Sequence, residues 1–216
     1  MSARRWCALW FCVFVPCAFG AGRDRVEGAI NSSVSVPLRG SVPARATRSL
    51  DQGPLPDSTT IRGIQLQFGP SPEQQADLDQ LLERQRDPSS PDYHRWFTPE
   101  EFGQRFGVSE NDFARLRSWL EASGFTIEQT ARAQNWISFA GTAAQIRTVF
   151  QTELHRFQGD AANGKDPEIH FANVTDPLIP ASLSGIVTSI RGLDDFRPHP
   201  PQIRTSLSSQ NETRLP

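Results

Sequence analysis

The first regular pattern of hydrophobic and polar residues lies between Thr60 and Phe68. Ile64, Leu66 and Phe68 alternate with polar residues, which is the pattern of a strand with one buried face and one exposed face. We therefore predict that ordered structure begins with a strand over these residues.

A helix is predicted directly after this strand. Ser71-Pro72-Glu73-Gln74 combines a capping serine, a proline at the first helical position and a glutamine at the capping-box position. The helix should end near Asp87-Pro88, because proline disfavours helical backbone in the residue before it. The residues expected to be buried are Leu78, Leu81 and Leu82.

Two more helices are predicted in the middle of the chain. Thr98 is a capping residue followed by Pro99, and Gly107 ends the short helix that they begin. Ser109 then caps a longer helix that stops at Gly124. The hydrophobic residues at helical spacing, which we assign to the core, are Phe102, Phe106, Phe113, Leu116, Trp119 and Leu120.

The C-terminal half alternates between strands and helical segments. Gly141-Thr142-Ala143-Ala144-Gln145 begins a helix with another capping box, and this helix should bury Ile146, Val149 and Phe150. Asn163-Gly164 favours the tight turn of a hairpin. The other expected elements are strands over 125–130, 136–139, 154–157, 169–171 and 186–190 and a helical turn over 179–183.

This order of elements predicts an α+β fold in which helices pack on an antiparallel sheet, of ferredoxin-like or split βαβ character. Residues 21–58 are rich in Ser, Pro, Gly and Arg without a sustained period, and we interpret them as a flexible leader. The folded domain is expected over 59–196. Residues 197–216 have no core-forming pattern, which indicates a linker.

The N-terminus has the pattern of an export signal, which we assign to residues 1–20. Met1–Arg5 is basic, Trp6–Phe19 is mostly apolar, and Ala18-Phe19-Gly20 offers small residues for cleavage. The apolar stretch is shorter than the ~20 residues that span a bilayer. We therefore expect a secreted product, extracellular or periplasmic, with no membrane partner once the signal is removed.

Cysteine content and charge narrow the function classes. Cys7, Cys12 and Cys17 all lie within the predicted signal, so we expect no disulfide, thiol nucleophile or thiolate metal site in the exported product. The formal net charge of −2 becomes −4 when Arg4 and Arg5 leave with the signal, because each carries one positive charge. This acidic balance argues against nucleic-acid binding, which normally uses a basic surface.

No catalytic constellation is recognisable in the sequence. The four histidines, His94, His155, His170 and His199, show no pair at the spacing of a helical zinc motif, and we interpret them as isolated hydrogen-bonding residues. Neither a Gly-x-Ser-x-Gly elbow nor a phosphate-binding glycine loop occurs.

Adjacent carboxylates also have simpler explanations than acid–base catalysis. Glu100-Glu101 are expected as acidic residues of a first helical turn, and Asp194-Asp195 as solvated linker charges. Three Asn-x-Ser/Thr sequons, at Asn31, Asn173 and Asn211, matter only in a host that glycosylates secreted proteins.

The most distinctive segment runs from Asp87 to Gly107. It joins two proline-punctuated turns, clustered aromatic residues that we expect to pack, one histidine and a helix start. It resembles the D-P-x-S-P-x-Y-H-x-W-hydrophobic-T-P-x-x-F element of pro-kumamolisin (sedolisin) activation domains, and similar motifs continue in the same order to Leu193. The family-motif positions are Pro88, Pro91, Tyr93, His94, Trp96, Thr98, Pro99, Phe102, Gly141, Thr142, His155 and His170.

The resemblance implies a prodomain that assists the folding of a serine-carboxyl endopeptidase and covers its substrate cleft until acid-triggered cleavage. The partner would be the catalytic domain, which carries the Ser-Glu-Asp triad and a structural calcium, so neither hydrolysis nor a cofactor is expected of this chain. Gly141-Thr142-Ala143-Ala144 resembles the nucleophile context Gly-Thr-Ser-Ala only superficially, because Ala143 replaces the serine. The activation cleavage is expected between Arg197 and Pro216.

Two alternatives stay open at this point. In the first, the chain is one half of a split or truncated serine-type peptidase whose catalytic domain is encoded separately. In the second, it is an unrelated secreted protein-binding module.

Overall fold

The computed structural model describes residues 23–31, 33–159 and 168–196. The predicted signal, the Asn163-Gly164 turn and the segment 197–216 lie outside the described residues. The strands are β1 (Ser35–Pro37), β2 (Asp51–Pro54), β3 (Thr60–Phe68), β4 (Thr126–Thr130), β5 (Trp136–Thr142), β6 (Leu154–Gln158), β7 (Ile169–Asn173), β8 (Leu178–Pro180) and β9 (Val187–Arg191). The α-helices in this part of the chain are α1 (Pro72–Arg86), α2 (Pro99–Phe106), α3 (Glu110–Ala122) and α4 (Ala143–Phe150).

The main sheet has four antiparallel strands in the order β4-β5-β3-β9. The helical connections run from β3 to β4 and from β5 through α4 towards β9, so the order corresponds to a split βαβ arrangement. The predicted α+β fold of ferredoxin-like character is confirmed.

The helices begin where their caps predict. The hydroxyls of Ser71, Thr98 and Thr142 each accept a hydrogen bond from the backbone N–H three residues on. The side chains of Gln74, Glu101 and Gln145 return the bond to the cap N–H and complete three capping boxes. Ser109 caps α3 through the N–H of Asp112. These local signals explain why the helix positions follow from sequence.

The core lies between one face of the main sheet and the helices. Phe139 of β5 is fully buried, with its ring centroid 4.9 Å from that of Phe125 and 6.1 Å from that of Phe150. The residues that share complete burial in this layer include Ile64, Leu66, Leu116, Leu120, Ile137 and Ile146. Because successive side chains of a strand point to opposite faces, every second side chain of β3 and β5 lies in the core.

The flexible leader predicted over 21–58 is wrong for the residues that the structure describes. β1 pairs with β8, and β2 joins β6 and β7 in a second sheet. Val26 and Leu38 are buried in the same core as the main sheet. Strands of three and four residues are too short to show a period, and their partners lie far along the chain, so the sequence pattern did not reveal them.

The burial predicted for α1 holds fully only at Leu81. Leu78 is half-buried and Leu82 is 37% exposed. Leu82 is turned away from the core because consecutive helical residues point about 100° apart. None of the helices in the described residues has the length and hydropathy needed to cross a bilayer.

Candidate protein-binding surface

The segment Asp87–Thr98, here called the motif turn, connects α1 to α2. Pro88 and Pro91 lie in two successive turns, and the Asp87 carboxylate accepts from the N–H and hydroxyl of Ser89 at 2.8 and 2.7 Å. These two hydrogen bonds lower the pKa of Asp87 below its ordinary value.

Gln85 of α1 holds the far side of this turn. Gln85 is buried, with 6% of the residue exposed. Its side-chain Nε2 donates to the Arg95 carbonyl, and its backbone carbonyl accepts from the His94 N–H at 3.2 Å. A salt bridge of 2.9 Å joins Arg84 to Asp92. These contacts with α1 therefore hold the motif turn in one conformation.

Three rings at the surface of the motif turn form a stack. The ring centroids of Tyr93 and His94 are 3.8 Å apart, and those of His94 and Trp96 are 6.0 Å apart. Trp96 is 72% exposed and Tyr93 41% exposed, so the prediction that the aromatic residues of this segment pack is wrong for these two. His94 has φ of 55°, a backbone region that non-glycine residues rarely adopt.

The inner side of the same segment does pack. Thr98 and Pro99 occupy the cap and first position of α2, and the Phe102 ring lies 5.2 Å from that of Phe106. Phe97 stacks on Phe106 at 6.2 Å. Arg105 lies over both Phe97 and Phe106 and also binds the Asp77 carboxylate through two nitrogens at 2.6 Å. α2 is thereby fastened to α1.

Gly141 and Thr142 have structural roles. The Phe125 ring packs so closely on Gly141 that a Cβ there would lie 2.3 Å from its nearest ring carbon. Thr142 caps α4, and Gln145 Nε2 donates to the Gly124 carbonyl at 2.8 Å. The resemblance of this stretch to a nucleophile motif is superficial, as expected.

His155 and His170 lie in the second sheet, on β6 and β7. His155 Nδ1 is 2.9 Å from both carboxylate oxygens of Asp51 on β2. The pKa of the Asp51 carboxyl is lowered mainly by the Gly53 N–H and then by His155. His170 Nδ1 is 3.3 Å from Asp195, so the prediction that Asp194-Asp195 are solvated linker charges is wrong. In the described residues no group of three His, Cys, Asp or Glu side chains is placed to hold a metal.

Among the described residues, the helices pack on the side of the main sheet that carries Ile64, Leu66, Ile137 and Phe139. We call the opposite side the open sheet face and define it by the residues of β3, β5 and β9 that alternate with this core, of which Ser138 and Ala140 are themselves buried: Gln65, Gln67, Trp136, Ser138, Ala140, Ser189 and Arg191. A shallow depression of about 810 Å³ lies on this face next to β4. Trp136 is half-buried on the same face, and tryptophan is enriched at protein interfaces.

Glu128 is the acidic residue at the edge of the open sheet face. It lies at an irregularity in β4, and its carboxylate accepts from the Gly63 N–H at 2.8 Å and pairs with Arg62 at 2.8 Å. Because β5 lies between β4 and β3, the Glu128 side chain reaches across β5 to meet Gly63. Arg191 is the charged residue among those that define the face, and it is exposed.

The sequence-predicted positions are thus distributed over three parts of the fold. The motif turn connects two helices, Gly141 and Thr142 end a strand of the main sheet, and the two histidines lie in the second sheet. Sequence reasoning predicted an exposed side for β3, but it did not show which residues of β5 and β9 lie beside it on the open sheet face. It also missed the exposure of Trp96, for which composition gives no signal.

Comparison with known proteins relates the chain to peptidase precursors. The family model described as the pro-kumamolisin activation domain matches residues 47–196. Xanthomonalisin from Xanthomonas sp. (strain T-22) is 33% identical over 108 residues, which cover 50% of this chain and 12% of that protein. Kumamolisin from Bacillus sp. (strain MN-32) is 27% identical over 165 residues, or 75% of this chain and 28% of that protein.

Sedolisin from Pseudomonas sp. (strain 101) is 28% identical over 127 residues, or 58% of this chain and 21% of that protein. The chain therefore spans less than a third of the length of each of these relatives. The family match covers more than half of the chain and includes the motif turn, the main sheet and both histidines of the second sheet. The chain belongs to the pro-kumamolisin activation-domain family, whose domains are propeptides of sedolisin-type peptidases.

Proposed function

We propose that this chain assists the folding of a secreted serine-carboxyl endopeptidase and blocks its cleft until acid releases it. The observation that carries the proposal is the open sheet face, which lies opposite the helix-covered core side of the main sheet in the described part of the chain. Tryptophan and arginine are enriched at protein interfaces, and Trp136 and Arg191 both lie on this face. The partner is the peptidase domain, and the triad and calcium expected for the family belong to that partner.

The segment 197–216 supplies the second half of the proposed inhibition. It follows directly after Phe196 and is rich in proline and polar residues, a composition that favours extended chain. Peptidase clefts recognise extended peptides, so this segment passes through the cleft and is cut there. Mass spectrometry of the chain mixed with a related peptidase at acid pH tests this. Cleavage confined to 61–196 contradicts it.

A matched pair of substitutions tests the binding surface. Gln65→Arg places a long charged side chain at the centre of the open sheet face, between Ser138 and Arg191 in register. Gln75→Arg makes the same change on the exposed side of α1. Against the peptidase domain of kumamolisin, the first change should weaken inhibition about tenfold or more, and the second should leave it near the unmodified value. Equal inhibition by both variants contradicts the proposed surface.

The pH dependence of inhibition gives a second test. Carboxylates that pair with arginines across an interface lose their charge as pH falls below about 4. Inhibition should therefore weaken between neutral and acid pH, measured as inhibition constants with a peptidase that is active in both. Equal constants would rule out acid release by this route.

A further inference from the structure

The open sheet face has a charged residue at each of its two edges. Arg191 lies on β9 and Glu128 on β4, the outer strands of the order β4-β5-β3-β9. Gln65 pairs in register with Arg191 on one side and with Ser138 on the other. Ser138 in turn pairs with Gln129, the neighbour of Glu128. The two charges therefore lie in one row across the sheet, three strand spacings or about 14 Å apart.

The two edges also differ in shape. Arg191 is exposed, and no ion pair joins it to another residue in the described part of the chain. The depression of about 810 Å³ lies at the opposite edge, and its lining includes Glu128, Thr126 and Ala140. One edge thus carries an exposed cation, and the other carries a recess with a carboxylate in its wall.

Glu128 retains the capacity to accept a further donor. Its side chain is 17% exposed, and its two oxygens meet the Gly63 N–H and the Arg62 guanidinium, each at 2.8 Å. A carboxylate offers about four acceptor positions, so about two remain. The Arg62 side chain is 77% exposed, and an ion pair with so exposed a partner is weak. A second arginine can therefore bind the same carboxylate.

We propose that the open sheet face binds a second copy of this chain, with Arg191 of each copy entering the depression of the other and pairing with Glu128 there. A two-fold axis that lies in the interface, parallel to the strands and between β5 and β3, exchanges the two ends of the row. Both ion pairs then form at once, as an isologous contact requires. An axis in the interface but perpendicular to the strands places like charges opposite each other, so the charges select the first axis.

The middle of the face fits this arrangement. Ser138 and Ala140 are small and buried, which lets the two sheets approach with their strands nearly aligned. Trp136 and Gln67 are paired on β5 and β3, so the axis places each indole over the glutamine of the other copy. Four strands of about five residues cover about 300 Å² per copy in projection. This area is at the small end for specific contacts and predicts a weak dimer.

Sedimentation velocity of the purified chain, without any peptidase, measures the contact. The average mass should rise from that of a monomer at about 1 µM towards that of a dimer at about 500 µM. Arg191→Glu should weaken the dimer about tenfold or more, because it places carboxylates opposite each other. Arg156→Glu makes the same change at an exposed arginine of β6 in the second sheet. This control should leave the dissociation constant near the unmodified value.

Exchange of the two charges tests the pairing itself. Glu128→Arg should weaken the dimer as Arg191→Glu does, because two arginines then face each other. A mixture of the two variants restores both ion pairs, so it should form a dimer at concentrations where each variant alone is a monomer. Urea unfolding shows that each variant is folded. If loss of the Gly63 contact unfolds Glu128→Arg, the comparison of Arg191→Glu with Arg156→Glu decides alone.

Three results would each overturn the proposal. The unmodified chain stays monomeric over the whole concentration range, Arg191→Glu dimerises no more weakly than Arg156→Glu, or the two folded variants fail to associate on mixing. Because no peptidase is present, these outcomes are independent of whether the chain inhibits one. The proposed peptidase contact uses the same face, so a second copy and a peptidase domain should exclude each other.

Discussion

Gly141 shows how a neighbouring side chain determines a single residue type. The Phe125 ring lies where a Cβ would be, at 2.3 and 2.5 Å from two ring carbons, so any larger residue must displace a ring that packs on Phe139 and Phe150. The requirement is one of space and not of backbone strain. The sequence suggested a chemical comparison at this position, and the structure gives a packing reason instead.

Substitution of two glycines by alanine should show whether lack of space explains the requirement for glycine at position 141. Gly141→Ala should lower the free energy of unfolding by about 1–3 kcal/mol, because the core is overpacked. Gly185→Ala adds the same methyl group where nothing lies within 4 Å. This change should alter the free energy of unfolding by less than about 0.5 kcal/mol. Urea unfolding of both variants checks this, and equal losses would contradict the packing argument.

Two aromatic residues near the motif turn should differ sharply in their contribution to stability. Trp96→Ala should change the free energy of unfolding by less than about 0.5 kcal/mol, since its side chain is largely exposed. Phe106→Ala, at a position 2% exposed, should lower it by about 3–5 kcal/mol. Chemical denaturation of the two proteins measures the difference; a large loss for Trp96→Ala would mean that the ring packs after all.

At the scale of elements, the N-terminal strap, residues 23–31 and 33–38, is fastened to α3 and its cap by several side chains, among them the buried carboxylate of Asp112. Asp112 is fully buried and accepts from the N–H groups of Arg25 and Val26 at 2.5 and 3.2 Å. The Arg25 guanidinium donates to the Gly69 and Gly185 carbonyls. The acidic group also lies in the first turn of α3, where the helix dipole favours negative charge.

Removing this carboxylate should loosen the strap at Arg25 and Val26. Asp112→Ala leaves two buried N–H groups without an acceptor and should cost about 2–4 kcal/mol of stability. Asp112→Asn keeps one acceptor oxygen and should cost less. Exchange of the Val26 amide should rise in the same order, whereas an unchanged Val26 amide in Asp112→Ala would show that the strap is held by other contacts.

On the scale of the whole molecule, carboxylates connect segments that are distant in the chain. Hydrogen bonds from Ser109 and Asn111 lower the pKa of Asp24, and Arg147 lowers that of Asp57. Arg105 lowers the pKa of Asp77 and so fastens α1 to α2. Because their pKa values are lowered in the folded state, these three carboxylates stabilise the domain when they are charged.

The sign of the pH dependence follows from these shifts. A carboxyl whose folded-state pKa is below its unfolded value contributes stability above about pH 4, and this is lost as pH falls through the folded-state pKa. Urea midpoints should therefore decrease as the pH is lowered from about 5 to about 2. Asp77→Asn should flatten that decrease, and a midpoint independent of pH would contradict the argument.

The positions of the helices and of the main strands along the chain were predictable, because the sequence signals for them are local. Ser71 with Gln74 and Thr98 with Glu101 are capping boxes within four residues, and Ile64 and Leu66 alternate within one strand. β1 and β2 were not predictable, since each is short and pairs with a strand far along the chain. The exposure of Trp96 was also not predictable, because hydrophobicity does not show which side of a turn faces solvent.

The sequence by itself determined the family, the fold class and the beginnings of the helices, since each depends on residues that are close together in the chain. Only the tertiary structure decided which sheet face is covered, that the leader is part of the domain, and that His170 meets Asp195. These three features depend on contacts between segments that are far apart in the chain. Such contacts form only when packing offsets the entropy lost on closing a long loop.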